Sequence, residues 1–425
     1  MEVTKTTWDQ SVHEIFEDIR SADFISIDTN VEVTGLIMTD ESLNLEQLEG
    51  ADWYNVLLSK QKARSPLEFG IAMFKEDKTM SNTKKTFHVK CYNIPILMAY
   101  VEEHDARQDI RDRKDFEERF DIDSIGFEFM QKINFDLNKS LYDGAPFLNK
   151  ERSLEAKDYM EKNPDFMIIN GKHVTNGDLD QSYFPKLIEK LQPEDIDEIV
   201  ERLRGVGKFL EVTSEAKVPV IGHNLFVKLI LLYKDFVEFL PNTYSELIPK
   251  LETLIPEFYD TKFICCEIGE NKNASGADTY HERSITSNAI LYPLYRNTSW
   301  IGGSSIDFAL HETSTQVYES DLNELCMENL EDDSTSFCYE CGFDSFLAGI
   351  IFTKLAILTF REFKVEEFPK YAKRWKNKPY IQKEIQNVLY DHEKPKKGVR
   401  SVAGPSSSSR PEQRVNSWTN VIHKK

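Results

Sequence analysis

The chain has 425 residues, 40% of them hydrophobic and 12% aromatic, which suffices for one large core or two ordinary ones and excludes global disorder. A formal net charge of −20 works against broad attraction to nucleic acid, so composition alone points to a protein or small-molecule partner. It leaves room for an enzyme that holds divalent metals on carboxylates behind a local basic rim.

In chain order, residues 8–20 pattern as a helix with Val12, Ile15, Phe16 and Ile19 on one face. Phe24-Ile25-Ser26-Ile27-Asp28 alternates as a strand. The stretches 69–74 and 86–90 read as the next two strands of a meander, joined by a polar turn at 77–82. The acidic segment 40–64 reads as loop and helix, and the heavily charged 100–122 as a solvated helix. Residues 127–135 have helical spacing, and Tyr142-Asp143-Gly144-Ala145-Pro146 reads as a turn. The polar stretch 150–193 reads as an insertion or loop. Ile196, Ile199, Val200, Leu203, Val206 and Leu210 mark one more helix. Next, a short buried strand, 218–221, stops at Gly222-His223-Asn224 and feeds a helix bearing Leu225, Phe226, Leu229, Ile230, Tyr233 and Phe236. A strand ending so places its tip in the crevice where open α/β sheets bind ligands, although Gly and Asn also suit a plain turn and helix cap.

Residues 258–264 read as a strand, 268–335 as loops with short helices, and 344–360 as the last apolar element. Its best apolar run, 346–360, is fifteen residues interrupted by Lys354, which fits a buried helix better than a membrane span. No membrane partner is expected. Six cysteines in so long a chain do not form a disulfide framework, and the N-terminus lacks a signal-peptide pattern. The expected location is therefore the cytoplasm, the nucleus or both. Cys338-Tyr339-Glu340-Cys341 has zinc or redox spacing, but Cys265 and Cys266 are the only adjacent pair of cysteines, so metal binding is not expected there.

Three groups of residues could carry chemistry: Asp28 to Glu32, the helix starting at Asn224, and Tyr339 to Asp344. Phe24-Ile25-Ser26-Ile27-Asp28 with Glu32-Val33-Thr34-Gly35-Leu36, Phe69-Gly70, Ile133-Asn134-Phe135-Asp136-Leu137-Asn138-Lys139, Gly144-Ala145-Pro146-Phe147-Leu148-Asn149, Val220-Ile221-Gly222-His223-Asn224, Asp260-Thr261-Lys262 and Glu340-Cys341-Gly342-Phe343-Asp344 follow in order. Together they resemble the poly(A)-specific ribonuclease family of DEDD 3′→5′ exonucleases. The resemblance covers roughly residues 1–365. It implies a ribonuclease H-like α/β fold, a mixed central sheet flanked by helices, and RNA 3′ ends, possibly poly(A), as ligand. It also implies two Mg²⁺ ions about 3.5–4 Å apart on four acids if the protein is active, and no cofactor otherwise. Family members are similar in forming homodimers, so a second copy or another protein partner is expected too.

Carried over residue by residue, the family pattern is incomplete. Asp28 matches the first acid and Asp344 the last, so both are candidate catalytic and metal residues. The second acid's place is Asn30, and Glu32 matches only with two residues inserted. Two readings stay open. A bulge turns Glu32 inward as a catalytic metal ligand, or the strand continues and Glu32 overshoots by about 6–7 Å. The third acid's place is Lys228, whose ammonium cannot ligate a metal. It reads either as a solvated residue or as a site cation that pairs with Asp28 and Asp344. Asp235 lies about 10 Å further along the helix axis, too far to substitute. Tyr339 stands where the family has His, either orienting a water or packing. His223, Asn224 and Lys228 are the expected substrate-binding residues. The expected organisation is an exonuclease-like domain over 1–365, a C-terminal helical extension over 366–393 and a disordered basic tail over 394–425. The leading expectation is a weakly active or inactive relative that binds RNA or a protein. The alternatives are an active Mg²⁺-dependent exoribonuclease and a dimerisation scaffold.

Overall fold

The computed structural model describes residues 1–30, 54–55, 58, 66–79, 85–98, 131, 135–162, 167–169, 172–174, 193–275, 291–299, 301, 306–312, 318 and 340–379. Helix α1 (Lys5–Ser21) leads into β1 (Phe24–Thr29), β2 (Glu68–Glu76) and β3 (Lys85–Met98). Then come α2 (Leu137–Asp143), β4 (Ala145–Phe147), α3 (Lys150–Lys162) and a separate antiparallel hairpin of β5 (Met167–Ile169) with β6 (Lys172–Val174). After them follow α4 (Pro193–Arg204), α5 (Phe209–Ala216), β7 (Val220–Gly222), α6 (Leu225–Phe236), α7 (Tyr244–Leu254) and β8 (Phe258–Asp260). The last elements are α8 (Thr261–Ser275), α9 (Leu291–Thr298), β9 (Ile306–Leu310), α10 (Cys341–Phe360) and α11 (Phe368–Trp375).

Strand β1 is buried at every position, as expected for a central strand covered on both faces. The sheet runs β4-β3-β2-β1-β7-β8, with β9 also paired to β3. β1, β2 and β3 form the antiparallel meander, whereas β7 is parallel to β1 and β8 is parallel to β7. The result is a mixed sheet between two helical layers, the ribonuclease H-like arrangement. Ile25 and Ile27 face one core with Ile15 and Ile19 of α1, Leu210 of α5 and Ile230 of α6. Phe24 and Phe74 face the other with Phe346 and Phe352 of α10 and Tyr371 and Trp375 of α11.

Several sequence expectations need correction. The 258–264 run is a strand only to Asp260, because that carboxylate accepts from Lys262 N at 3.0 Å and helix α8 begins at Thr261. The turn expected at 142–146 is the end of α2 followed by β4. The expected insertion or loop at 150–193 opens instead as the helix α3, capped where Asn149 Oδ1 accepts from Arg152 N at 2.8 Å. The single helix expected over 196–210 is two, broken at Gly205, whose φ is +40°. Strand β9 was not expected in the 268–335 stretch.

Helix α10 begins five residues before Phe346 and, by length and composition, could cross a membrane. It is 78% buried over its most apolar window and packs on the sheet, as a core helix does. Trp375 and Tyr371 are fully buried beside Phe352, so α11 belongs to the same core and the boundary drawn at 365 does not separate two bodies. The rest of the expected extension, the tail, the charged segment 100–122, and the site residues Glu32 and Tyr339 lie outside the described residues.

Candidate active site

The site is built on one rung of the sheet. Asp28 lies opposite Gly70, and Gly70 lies opposite Asn93. A Cβ added to Gly70 would sit 1.9 Å from the Cys341 carbonyl carbon, so only glycine lets the first turn of α10 lie on this rung. Opposed residues of an antiparallel pair share a face, so Asp28 projects toward α10. Ser26, on the same face, donates to the Ser345 carbonyl at 2.5 Å. Asp344 stands in that first turn, where the helix dipole favours an acid. The two carboxylates that chain order separates by more than three hundred residues are thus brought to one end of the sheet.

Two buried side chains that the sequence reading missed pin this turn. Glu68 Oε2 accepts from Cys341 N at 3.1 Å, and Asn93 Oδ1 accepts from Gly342 N at 2.9 Å. Asn93 Nδ2 in turn donates to Glu68 Oε1 at 2.6 Å. The orphan amides at the start of α10 are therefore satisfied from strands β2 and β3. Burial pushes the Glu68 carboxyl above the usual range, against the downward pull of its hydrogen bonds from Asn93 and Cys341. Its position one residue before Phe69-Gly70 was the available signal.

The opposite wall is the Gly222-His223-Asn224 turn. β7 runs parallel to β1 with Ser26 opposite Ile221, which places His223 next to Asp28 along the sheet. Asn224 has φ +56°, a left-handed conformation that Asn tolerates, and its side chain makes no capping bond. The cap comes from Asp260, whose oxygens accept from Asn224 N and Leu225 N, both at 2.9 Å. Thr261 Oγ1 donates to the Gly222 carbonyl at 3.1 Å, so at 2.9 Å His223 Nδ1 is the donor to that hydroxyl. His223 and Asn224 are thereby tied into the turn. The Asp260-Thr261-Lys262 motif is the other half of that turn.

Helix α6 is buried along its whole length, its charged residues included. Lys228 donates from Nζ to Asp28 Oδ1, with both side chains only 8% exposed. Lys234 pairs with Asp235 at 3.2 Å within the same buried helix. The reading of Lys228 as a solvated residue is therefore set aside. Asp344, the second carboxylate expected to pair with Lys228, accepts at Oδ1 from Tyr292 OH at 2.6 Å. The buried Cys341 thiol is raised by desolvation first and then by Glu68, Asp28 and Asp344, while Lys228 lowers it. All four groups thus lie within electrostatic reach of Cys341.

Asn30, at the place of the family's second acid, is buried. Its Oδ1 accepts from Leu67 N and Glu68 N, each at 3.0 Å, closing the start of β2 on the end of β1. Its Nδ2 has no hydrogen-bond partner among the described residues. Pairing of β1 with β2 is regular from Phe24 to Thr29, and the choice between a bulge and a continuing strand at Glu32 falls outside the described residues.

Two divalent ions would need carboxylate oxygens from Asp28, Asp344 and further acids. Asp28 is neutralised by an ammonium, Asp344 accepts a phenolic hydrogen bond, and among the described residues no three His, Cys, Asp or Glu side chains stand together as a metal cluster. What remains is a buried ion pair beside a second carboxylate at the mouth of an α/β crevice.

The family model described as CAF1 family ribonuclease matches residues 3–352. The chain is 20% identical to the pre-piRNA 3′-exonuclease trimmer of Bombyx mori, over 84% of this chain and 71% of that protein. It is 20% identical to the poly(A)-specific ribonuclease PNLDC1 of Mus musculus, over 63% of this chain and 59% of the relative. It is also 20% identical to the poly(A)-specific ribonuclease PARN of Danio rerio, over 84% of this chain and 59% of the relative. The chain therefore spans less than two thirds of the length of the mouse and zebrafish proteins. Among solved structures, S. pombe Pop2p in its Mg²⁺ and Mn²⁺ bound form is similar at 12% identity and a TM-score of 0.42, covering 89% of this chain and 98% of that one.

Proposed function

We propose that this chain, which belongs to the CAF1 ribonuclease family, binds RNA 3′ ends and cleaves them weakly or not at all. The observation that carries this is the buried Lys228–Asp28 pair. Two-metal phosphodiester cleavage needs negative ligands on both ions. Here one ligand position holds a cation, and that cation occupies the carboxylate that would serve the first metal. A fixed ammonium at this place offsets the Asp28 carboxylate without a metal, which lowers the negative charge that a phosphate would meet. At the rim of the same sheet end Lys139, 44% exposed, is paired with Glu2 at 2.8 Å and lies within electrostatic reach of Glu340 and Glu68.

The residues that would carry cleavage are Asp28, Asp344, Glu32 and Tyr339. RNA contacts fall to Lys228 and the His223-Asn224 turn. An active enzyme with a rearranged site is the reading that this proposal opposes. The test is binding of a 3′-intact oligo(A) with and without chelator. Retention of the same affinity in chelator supports a site whose cation is Lys228. A loss of affinity on chelation, restored by Mn²⁺, overturns it.

A further inference from the structure

A cavity of about 290 Å³ lies between α6, α7, β8 and the chain that follows α11. Its walls are apolar, formed by Phe226 and Leu229 of α6, Ile248 and Leu251 of α7, Phe258 and Phe263. Phe226 and Leu229 lie on a different face of α6 from Lys228, so the cavity is separate from the crevice at Asp28. Its polar edge comprises Lys376 and Lys378, both half-buried, and the exposed Glu252.

The segment bearing the two lysines is held firmly. Asn377, with φ +55°, donates from its backbone N to the Phe258 carbonyl at 2.9 Å. Its Oδ1 accepts from Phe258 N at 3.0 Å, and its Nδ2 donates to the Pro256 carbonyl at 3.2 Å. These bonds complete the outer edge of β8 and fix the lysines on either side of Asn377 at the cavity. Tyr244 also lines it, and its hydroxyl is buried with no hydrogen-bond partner among the described residues.

The lysines bring two positive charges to one edge of an apolar chamber, beside Asn377, whose side chain is spent on Phe258 and Pro256, and the exposed Glu252. A ligand that satisfies the lysines has acceptors at one end and hydrocarbon at the other. A nucleotide is a poor fit, because few groups inside could pair the polar edge of a base. With a methylene taken as about the size of a water, whose share of liquid volume is roughly 30 Å³, the space holds about ten such groups. We propose that the cavity binds a small amphipathic anion, an unbranched carboxylate of about eight to ten carbons, with its chain inside and its carboxylate between Lys376 and Lys378.

Calorimetric titration of the full chain with decanoate tests this. Expected is one saturable site per chain, with decyltrimethylammonium binding at least about tenfold more weakly because its head group meets two lysines. Ile248→Trp, which fills the chamber, should weaken decanoate at least about tenfold, and Lys376→Glu with Lys378→Glu together by about tenfold. Far-ultraviolet circular dichroism and the unfolding midpoint report whether each variant is folded. If Ile248→Trp does not fold, the charge-reversal variant and the cationic ligand still decide. Absence of saturable decanoate binding would overturn the proposal. So would equal affinity for the two head groups, or competition by adenosine monophosphate at lower concentration than decanoate.

Discussion

Replacing Lys228 with Met removes an ammonium from a place where it is only 8% exposed and leaves the Asp28 carboxylate buried without its ion-pair partner. At an effective dielectric of ~20, unit charges about 4 Å apart attract by about 4 kcal/mol. Breaking a buried pair from one side costs about 3–5 kcal/mol, because the remaining charge stays desolvated. Asp28→Asn takes the carboxylate away from the buried ammonium and should cost a similar amount. The double variant Asp28→Asn, Lys228→Met strands neither charge and should lose less than the two single changes summed, giving a coupling of about 3 kcal/mol. Urea unfolding of the four proteins at pH 7.5 measures it. Repeating the series in 1 M NaCl should change the coupling little, since a pair this buried is poorly screened. Single-variant costs that add to within about 0.5 kcal/mol would show that Lys228 and Asp28 do not form the pair on which the functional reading rests.

Glu68→Gln keeps the shape but has one acceptor where two are used, by Asn93 Nδ2 and Cys341 N. It should cost about 1–3 kcal/mol at pH 4. The folded pKa of Glu68 lies above its unfolded value of 4.5, so its stabilising share is present below 4.5 and is lost as pH rises through the raised value. The cost of Glu68→Gln should therefore shrink toward neutral pH, and a pH-independent cost would contradict a protonated Glu68. Asp260→Asn leaves either Asn224 N or Leu225 N without its carboxylate acceptor and should cost about 1–2 kcal/mol. Amide exchange at residues 224 and 225 should speed up, and unchanged protection there would refute the remote cap.

Elements with strong internal periodicity were legible in the sequence. The alternation of 24–28 gave β1 its place, and the apolar run after Asp344 announced α10 as a buried helix. Missing were features set by partners distant in the chain. The start of α10 falls at Cys341 because Glu68 and Asn93 cap it from across the sheet, and no local pattern contains that information. Strand β8 stops early because Asp260 spends its carboxylate on the amides of residues 224, 225 and 262. The strand-like run Phe-Tyr-Asp-Thr-Lys-Phe-Ile therefore continues into a helix. Strand β9 shows only three half-buried positions among five, too weak a signal to separate from loop. At the site, the place of Lys228 could be read by spacing, but its partner could not. Spacing brought Asp28 and Asp344 equally into question, and only the fold assigns Lys228 to the first and Tyr292 to the second.

Incubation of the unmodified protein with 3′-intact oligo(A) in Mg²⁺ or Mn²⁺ measures the central claim most directly, with Lys228→Asp run beside it. Expected is no shortening by the unmodified chain above a metal-free control. Lys228→Asp exchanges a repelling charge for a ligand and should raise Mn²⁺ affinity by about three orders of magnitude or less, allowing for relaxation, from the ~4 kcal/mol removed. Robust, chelator-sensitive shortening by the unmodified protein, abolished by Asp28→Ala, would contradict the account and show that metals bind here despite Lys228.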